Sequence, residues 1–199
     1  MKKLYLIALS MITINHCFSQ QTMIDSLKNI LNTNISEIQK IEVYYRLADT
    51  NIPIHEQWQY IEEGLKLSEK NKYNAGIAQA KFWKAFKNNV TGNWALGLEQ
   101  ALEGIEYSKT TNNKLYEALF FSMVSMSYEK QNDFKNMYIW SKKITEGIDK
   151  KMYKDTLTSD WSASMSISGY FSSINQIDSA LYYADRSYLA AKRNKLPTK

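Results

Sequence analysis

The sequence is poor in the residues that build most catalytic and metal-binding sites. It has one cysteine and two histidines among 199 residues, and both Cys17 and His16 lie close to the N-terminus. His55 is then the one histidine of the remaining chain, and we interpret it as an exposed residue of a turn. The sequence therefore nominates neither a Ser-His-Asp set nor a His/Cys metal cluster, while sites made only of Asp and Glu stay open.

Glycine and the acidic residues give no catalytic motif either. The seven glycines form neither a GxGxxG nor a GxxxxGK phosphate-binding loop. The acidic residues Glu62 and Glu63, and those from Asp155 to Asp160, fit solvated helix faces or loops better than carboxylate pairs for acid–base chemistry. We therefore expect no enzymatic activity, no cofactor and no metal.

The sequence also lacks a hydrophobic run long enough to span a bilayer. The run near the N-terminus, Leu4 to Ile14, has 11 residues; it follows Lys2 and Lys3 and precedes Cys17-Phe18-Ser19. This layout is typical of a secretory signal peptide that is cleaved ahead of Gln20. We predict that residues 1–19 are a signal peptide and that the mature protein is exported to a periplasmic or other extracytoplasmic space.

Two other interpretations of this N-terminal segment stay open. It could be the first helix of the domain, or Cys17 could carry a lipid anchor, although Ile14-Asn15-His16 matches poorly the small apolar residues that precede a lipidated cysteine. Cleavage ahead of Gln20 would remove the only cysteine. The mature protein would then depend on packing alone for its stability in an oxidising compartment.

The charge balance gives little support to a nucleic-acid partner. The net charge is +5, but without Lys2 and Lys3 the chain has 23 basic against 20 acidic residues, and these are interspersed. No basic stripe of the kind that neutralises phosphates is visible. The hydrophobic fraction of 44%, with few glycines and two prolines, instead predicts one packed, helical domain.

A repeated pattern stands out against these absences. Its clearest copy is Phe121-x-x-Val124-Ser125-x-x-Tyr128 followed by Asn132-Asp133, and it recurs as Ser164-x-x-Ile167-Ser168-x-x-Phe171 followed by Asn175-Gln176. Fainter copies lie around Ala85 to Trp94 and Ile41 to Tyr45. A period of about 40 residues indicates an array of small, similar units.

Each unit fits two antiparallel helices. In the clearest copy the large residues lie on one helical face, Asn132 suits a helix stop, and Asp133 can cap the next helix. The small residues Ser125 and Ser168 fall where two helices would cross closely. We predict an N-terminal cap helix within residues 20–37 and an array over residues 38–199, with units at 38–77, 78–117, 118–158 and 159–199.

These residues resemble the tetratricopeptide repeat (TPR) family, whose pattern is W-x2-L-G-x2-Y, then A-x3-F, then P. The match in residue type covers about residues 38–199, but the closing proline is missing and the period is 40 to 43 rather than 34. The resemblance implies an all-α solenoid of about four helical hairpins. Together with the signal peptide and Asp25-Ser26-Leu27, the longer units are similar to the extracytoplasmic sensor region of bacterial histidine kinases and regulators.

The resemblance to TPR proteins implies a concave groove that takes peptides or extended segments. The residues expected in this groove are Arg46, Asp49, Gln79, Phe82, Phe86, Asn89, Ser122, Met126, Glu129, Lys130, Met165, Gly169 and Ser172. Phe82 and Phe86 are equally compatible with ordinary inter-helix core. Tyr182, Tyr183 and Tyr188 on the last helix would form an exposed apolar patch if nothing covers them, and such a patch would suit self-association.

The function predicted from the sequence is non-catalytic binding of a protein or peptide by a scaffold exported from a bacterial cell. We expect the sensing or interaction module of a signal-transduction system, and because the chain ends at Lys199 it could be that module alone, a free-standing relative or a truncated product. The alternatives are a periplasmic adaptor in envelope assembly and an α-helical cell-wall hydrolase. A hydrolase would need a buried carboxylate in a deep cleft, whereas a scaffold needs an open groove.

Overall fold

The computed structural model describes residues 21–153 and 159–194. The predicted signal peptide, including Cys17, and Asp155 lie outside these residues. Across the described residues the chain forms nine helices and no strand, which confirms the predicted all-α fold. The chain divides into two compact units, residues 1–80 and residues 81–199, and each is described separately.

The first unit begins with α1, which covers residues 21–31. It continues with α2 (Glu37–Ala48), α3 (Ile54–Lys70) and the first turns of α4 (Asn74–Val90). The second unit contains the rest of α4, then α5 (Trp94–Thr110), α6 (Lys114–Lys130) and α7 (Phe134–Asp149), followed by α8 (Ser159–Ser173) and α9 (Ile177–Arg193). None of the described helices combines the length and the apolar character needed to cross a membrane.

Besides Tyr45 of α2 and Ile61 of α3, which are fully buried, the first unit has a buried cluster built from α1, α2 and the loop that follows α2. Its buried residues are Ile24, Leu27, Val43, Leu47 and Ile52. Ser36 and Gln39 form a capping box at the start of α2, which satisfies backbone N–H groups that the first turn leaves without partners. We therefore attribute the short, well-defined entry into α2 to this local hydrogen bonding.

The start of α3 differs from the prediction. The interpretation of His55 as a turn residue placed the start of this helix after residue 55, but α3 begins at Ile54, directly after Pro53. The carbonyl oxygen of Pro53 accepts the backbone N–H groups of Glu56 and Gln57 at 2.9 and 3.1 Å, so the proline closes the first turn. His55 consequently lies in the helix rather than in a turn, although it is exposed as predicted.

The connections between helices account for the 40-residue period. Lys72, Gly92, Asn112 and Asn132 have positive φ angles of 51 to 89° and are spaced 20 residues apart. Each belongs to a three-residue loop after a 17-residue helix, so two helices and two loops give 40 residues. The residue after each of them donates its N–H to a carbonyl five positions back at 2.8 to 2.9 Å, which closes a Schellman-type helix end.

Two local predictions for these loops are confirmed. Asn132 adopts the left-handed conformation, with φ of 59°, and Asp133 caps α7 by accepting the N–H of Asn136 at 3.0 Å. Lys151 is the left-handed residue after α7, and Asn175, the counterpart of Asn132 one repeat later, follows Asn132 by 43 residues because the connection between α7 and α8 is longer. The wider spacing of the last repeat is therefore a property of one loop, not of longer helices.

The core of the second unit runs along α5, α6, α7 and α8. Its buried members include Ala101, Ile105, Phe120, Val124 and Ile144. The two crossings expected at small residues are present: the hydroxyls of Ser125 and Ser141 lie 2.7 Å apart, and the hydroxyl of Ser168 donates to the carbonyl of Ala180 at 2.8 Å. Serine therefore both permits the close approach of the helices and hydrogen-bonds across it.

Candidate peptide-binding cavity

A cavity of about 440 Å³ opens in the second unit beside α6, α7 and α8. We call it the α6–α8 cavity. Methionines and serines dominate its lining, with few other residue types. Its lining residues are Ser122, Met123, Ser125, Met126, Glu129, Phe134, Met137, Ser141, Ile144, Ser162, Ala163, Met165, Ser166, Gly169 and Ser173. The volume lies within the range of ligand pockets in proteins.

The floor of the cavity is fixed by packing and by hydrogen bonds. Ile144 is fully buried, and the hydroxyls of Ser125 and Ser141 bond to each other. Ser125 also donates to the carbonyl of Met137 at 3.2 Å. Because these groups already satisfy one another, the floor offers an apolar surface with few hydrogen-bonding groups left for a ligand.

The rim of the cavity has a different chemistry. Glu129 is exposed and is the one ionisable residue of the lining. Within the described residues, neither the Glu129 carboxylate nor the half-buried Ser166 hydroxyl bonds to another group of the protein. A carboxylate and a hydroxyl are therefore available beside apolar methionines, an arrangement that can orient an amphipathic ligand.

The cavity exists because small or flexible residues occupy positions that are aromatic one repeat earlier. Counted from the equivalent loops, Phe82 of α4 corresponds to Ser122 of α6 and Met165 of α8, and Phe86 corresponds to Met126 and Gly169. A Cβ atom added to Gly169 would meet no atom within 4 Å. The space beside α8 is therefore open at a position where α4 carries a phenyl ring.

Five of the predicted groove residues come together in this cavity. Ser122, Met126, Glu129 and Met165 line it, as does Gly169. Lys130 and Ser172 lie on the same helices, but both are exposed and neither belongs to the lining. The lining of the cavity thus includes only part of the groove that the sequence predicted on these helices.

Asn89 differs most from its predicted role. It was expected to hydrogen-bond a bound peptide, but only 1% of it is exposed. Its amide nitrogen donates to the carbonyl of Met123 at 3.2 Å, and its amide oxygen accepts the hydroxyl of Ser127 at 2.8 Å. Asn89 therefore joins α4 to α6 inside the unit and presents no polar atom to a partner.

Phe82 and Phe86 belong mainly to an aromatic cluster, which favours the second of the two interpretations left open. Both are half-buried against the core, and the Phe82 ring lies 6.4 Å from the rings of Tyr116 and Phe120. The remaining predicted groove residues, Arg46, Asp49 and Gln79, belong to the first unit; Arg46 and Asp49 are exposed and Gln79 is half-buried.

Several lining residues were missed by the reasoning from sequence. Met137 and Ser141 of α7 were not among the expected groove residues, and they form part of the cavity floor. Ser162, Ser166 and Ser173 of α8 were not singled out. Their spacing of four and seven residues was the available signal, since it places them with Gly169 along one side of the helix.

The acidic residue Asp160 was wrongly interpreted as a solvated charge. It is 2% exposed, and its carboxylate accepts hydrogen bonds from Arg186 at 2.8 Å and Arg193 at 2.9 Å. Arg186 also bonds to Asp149 at 2.9 Å, and these carboxylates raise its pKa against the opposing effect of burial. A second cavity beside these residues is edged by these paired charges and by the exposed Asp185.

The donor groups for a metal site are scattered. Among the described residues, no group of three or more His, Cys, Asp or Glu side chains lies close enough to hold a metal ion. The cavity chemistry that the structure offers is therefore that of apolar contact, hydroxyl groups and one carboxylate.

No protein-family model matches the sequence, and no curated protein matches it. Solved structures do match. A Rap protein complexed with competence and sporulation factor aligns with a TM-score of 0.72 and 16% identity, over 89% of this chain and 51% of that chain. The apo form of RapI aligns with a TM-score of 0.63 and 16% identity, over 84% of this chain and 61% of that one.

The chain has a TPR-type, all-helical repeat fold. It spans about half of the Rap protein and three-fifths of RapI, and at this identity the likeness concerns the fold alone. The similarity to extracytoplasmic sensor regions is not tested by these two structures and stays a prediction.

Proposed function

We propose that this protein is a non-catalytic scaffold that binds an extended peptide segment of a partner in the α6–α8 cavity. The observation that carries the proposal is the cavity itself: about 440 Å³ of space, with a fixed floor and with a carboxylate and a hydroxyl at the rim that have no partner among the described residues. The use of the same fold by a Rap protein complexed with competence and sporulation factor adds support.

The lining suggests the chemistry of the bound segment. Met126 and Met165 have flexible, polarizable side chains that can adapt to apolar groups of different shapes. Glu129 is the one charged residue of the lining, so a lysine, an arginine or a free amino terminus would be the matching group of the ligand. We propose a segment with one or two apolar side chains next to a cationic group.

The setting of this activity is part of the proposal. We propose that the protein is exported and that it serves as the sensing or interaction module of a signalling system; a periplasmic adaptor for envelope assembly is the alternative. The support is the layout of residues 1–19, where Lys2 and Lys3 precede a short apolar run.

Peptide selection tests the binding proposal. The full chain, expressed and immobilised, is used to select from a displayed library of random short peptides, and an enriched peptide is synthesised for calorimetry. Gly169→Phe would fill the α6–α8 cavity at the position that corresponds to Phe86, and we expect about a tenfold or greater loss of affinity. Ser172→Phe, three residues away on the same helix but outside the lining, should bind as the wild type does.

The charge of Glu129 is tested with the same peptide. Glu129→Gln should weaken a peptide that contains lysine by about tenfold, the size of a charge-assisted hydrogen bond. The variant should not affect the same peptide with norleucine in place of that lysine. The proposal fails if no peptide is enriched over the immobilised Gly169→Phe protein, or if Gly169→Phe and Ser172→Phe bind equally well.

Export is tested by processing. The full chain is expressed in a bacterium, and the N-terminus of the product recovered outside the cytoplasm is sequenced. A product that begins at Gln20 supports signal cleavage, and one that begins at an acylated Cys17 supports a lipid anchor instead. Retention of an uncleaved chain in the cytoplasm would rule out both forms of export.

A further inference from the structure

The last described helix, α9, exposes an unusual number of large apolar side chains. Leu181 is 60% exposed and Tyr188 is 53% exposed, and Ile177, one helical turn before Leu181, is 56% exposed. The spacing of four and seven residues places these side chains on one face of the helix. Contiguous apolar surface of this kind marks an interaction site more often than single exposed residues do.

The register of the repeats shows that the part of this face around Ala184 and Tyr188 is covered in the earlier repeats. The helices α5, α7 and α9 each follow the same kind of loop, so Ala184 corresponds to Ala101 and Ser141, and Tyr188 corresponds to Ile105 and Thr145. The four earlier residues are buried, with exposures between 0 and 3%, whereas Ala184 and Tyr188 are exposed. α9 therefore presents a helix-packing face that no described residue covers.

We propose that this face binds the same face of a second copy of this chain, in an antiparallel pair of α9 helices. A two-fold axis through the middle of the pair, near Ala184, would set Leu181 of one copy against Tyr188 of the other. Ala184 is small, which lets the two helices approach closely at the axis. The same surface is thereby buried on both copies, with no second, different patch required.

The charges of α9 favour the antiparallel orientation. Asp178 lies in the first turn of the helix, and Lys192 lies in the last turn. Both are exposed, and the antiparallel arrangement places each beside its opposite charge on the other copy. A parallel pair would instead set Asp178 beside Asp178 and Lys192 beside Lys192, which costs free energy. The exposed Asp185, next to Ala184, would lie near its own copy in either orientation and does not decide between them. The charges at the two ends of α9 therefore specify the orientation, while the apolar residues supply the affinity.

Sedimentation equilibrium of the full chain over a range of micromolar concentrations tests this proposal. We expect a species of twice the 23.2 kDa chain mass. Leu181→Glu and Tyr188→Glu should each weaken the association at least tenfold, because each would place a charge in the apolar contact. Ile139→Glu on α7 is the matched control, since Ile139 is exposed but corresponds to a position outside this face. Circular dichroism checks that each variant is folded.

A charge exchange tests the orientation. Asp178→Lys should weaken the pair, and adding Lys192→Asp to the same chain should restore it. The proposal is overturned if the full chain is monomeric throughout the concentration range, as it would be if α9 served only to receive a further helical hairpin. It is also overturned if Leu181→Glu associates as strongly as the control Ile139→Glu and the wild type do. The same holds if the double charge exchange does not restore the pair.

Discussion

Two neighbouring regions of the second unit use equivalent helical positions for opposite purposes. Beside α4 and α6 the space is filled by the rings of Phe82, Phe86, Tyr116 and Phe120. Beside α6 and α8 the equivalent positions carry serine, methionine and glycine, and the α6–α8 cavity remains. The backbone geometry is shared, so side-chain volume alone decides which region adds to stability and which can receive a ligand.

The two regions also differ in what happens to their polar groups. In the filled region Asn89 and Ser127 bond to each other and to a backbone carbonyl, so both side chains are satisfied inside the protein. In the open region the Glu129 carboxylate and the Ser166 hydroxyl lack partners among the described residues. Polar groups that a folded chain leaves unpaired beside a cavity are the groups best placed to recognise a ligand.

The largest expected difference between the regions is in stability. Phe120 is fully buried in the aromatic cluster, so Phe120→Ala should lower the free energy of unfolding by about 3–5 kcal/mol. Met165 lines the cavity and is 51% exposed, so Met165→Ala should change the free energy of unfolding by no more than about 0.5 kcal/mol. Urea denaturation measures both, and similar losses in the two variants would contradict the division between a filled and an open region.

Replacing one glycine in each region by alanine should change the free energy of unfolding in opposite directions. A Cβ atom at Gly104 would overlap the Phe120 ring, so Gly104→Ala should cost about 1–3 kcal/mol. A Cβ atom at Gly169 meets nothing, so Gly169→Ala should raise the free energy of unfolding by about 0.5–1 kcal/mol, since alanine favours the helix. Thermal denaturation of the two variants should show a lowered and a raised midpoint. Equal shifts would mean that the cavity collapses around Gly169.

The sequence allowed the all-α repeat fold to be predicted because the repeat leaves clear local signals. The apolar spacing of Phe121, Val124 and Tyr128, the loop residue Asn132 and the cap Asp133 each have a direct structural counterpart. The start of α3 was misplaced because the proline at residue 53 was assigned to the middle of a turn, where it in fact precedes the helix. The left-handed conformation of Lys72 was not predicted, because glycine and asparagine are the residues that usually indicate such a loop position.

The cavity was harder to predict because inward-facing positions do not reveal which of them are filled. Periodicity placed Asn89 and Glu129 at equivalent positions, yet one is buried between helices and the other lies at the rim of the cavity. That difference depends on which helices pack against each position, and a single sequence does not show which helices are in contact. Asp160 was misinterpreted for the same reason, since Arg186 and Arg193 reach it from more than 25 residues away along the chain.

The smallest expected effect concerns the pH dependence of the buried core that both regions share. Tyr153 packs against Phe121 in this core, and burial, with a further contribution from Glu117, raises the pKa of its phenol from 10.0 to about 12. Between pH 10 and 12 the unfolded chain would lose this proton while the folded chain keeps it, so the stabilisation is present below pH 10 and is lost as the pH rises through this window.

Tyr153→Phe isolates this contribution. Urea denaturation from pH 9 to 12 should show that the free energy of unfolding of the variant falls less steeply with pH than that of the wild type. The difference between the two slopes should correspond to at most one bound proton, because the other groups titrate alike in both proteins. Tyr182→Phe, at a largely exposed tyrosine of α9, is the matched control for the loss of a phenol hydroxyl. If the stability of the wild type and that of Tyr153→Phe fall in parallel, the phenol of Tyr153 is as accessible to water as an exposed one, and the shared core is looser around α7 than its packing indicates.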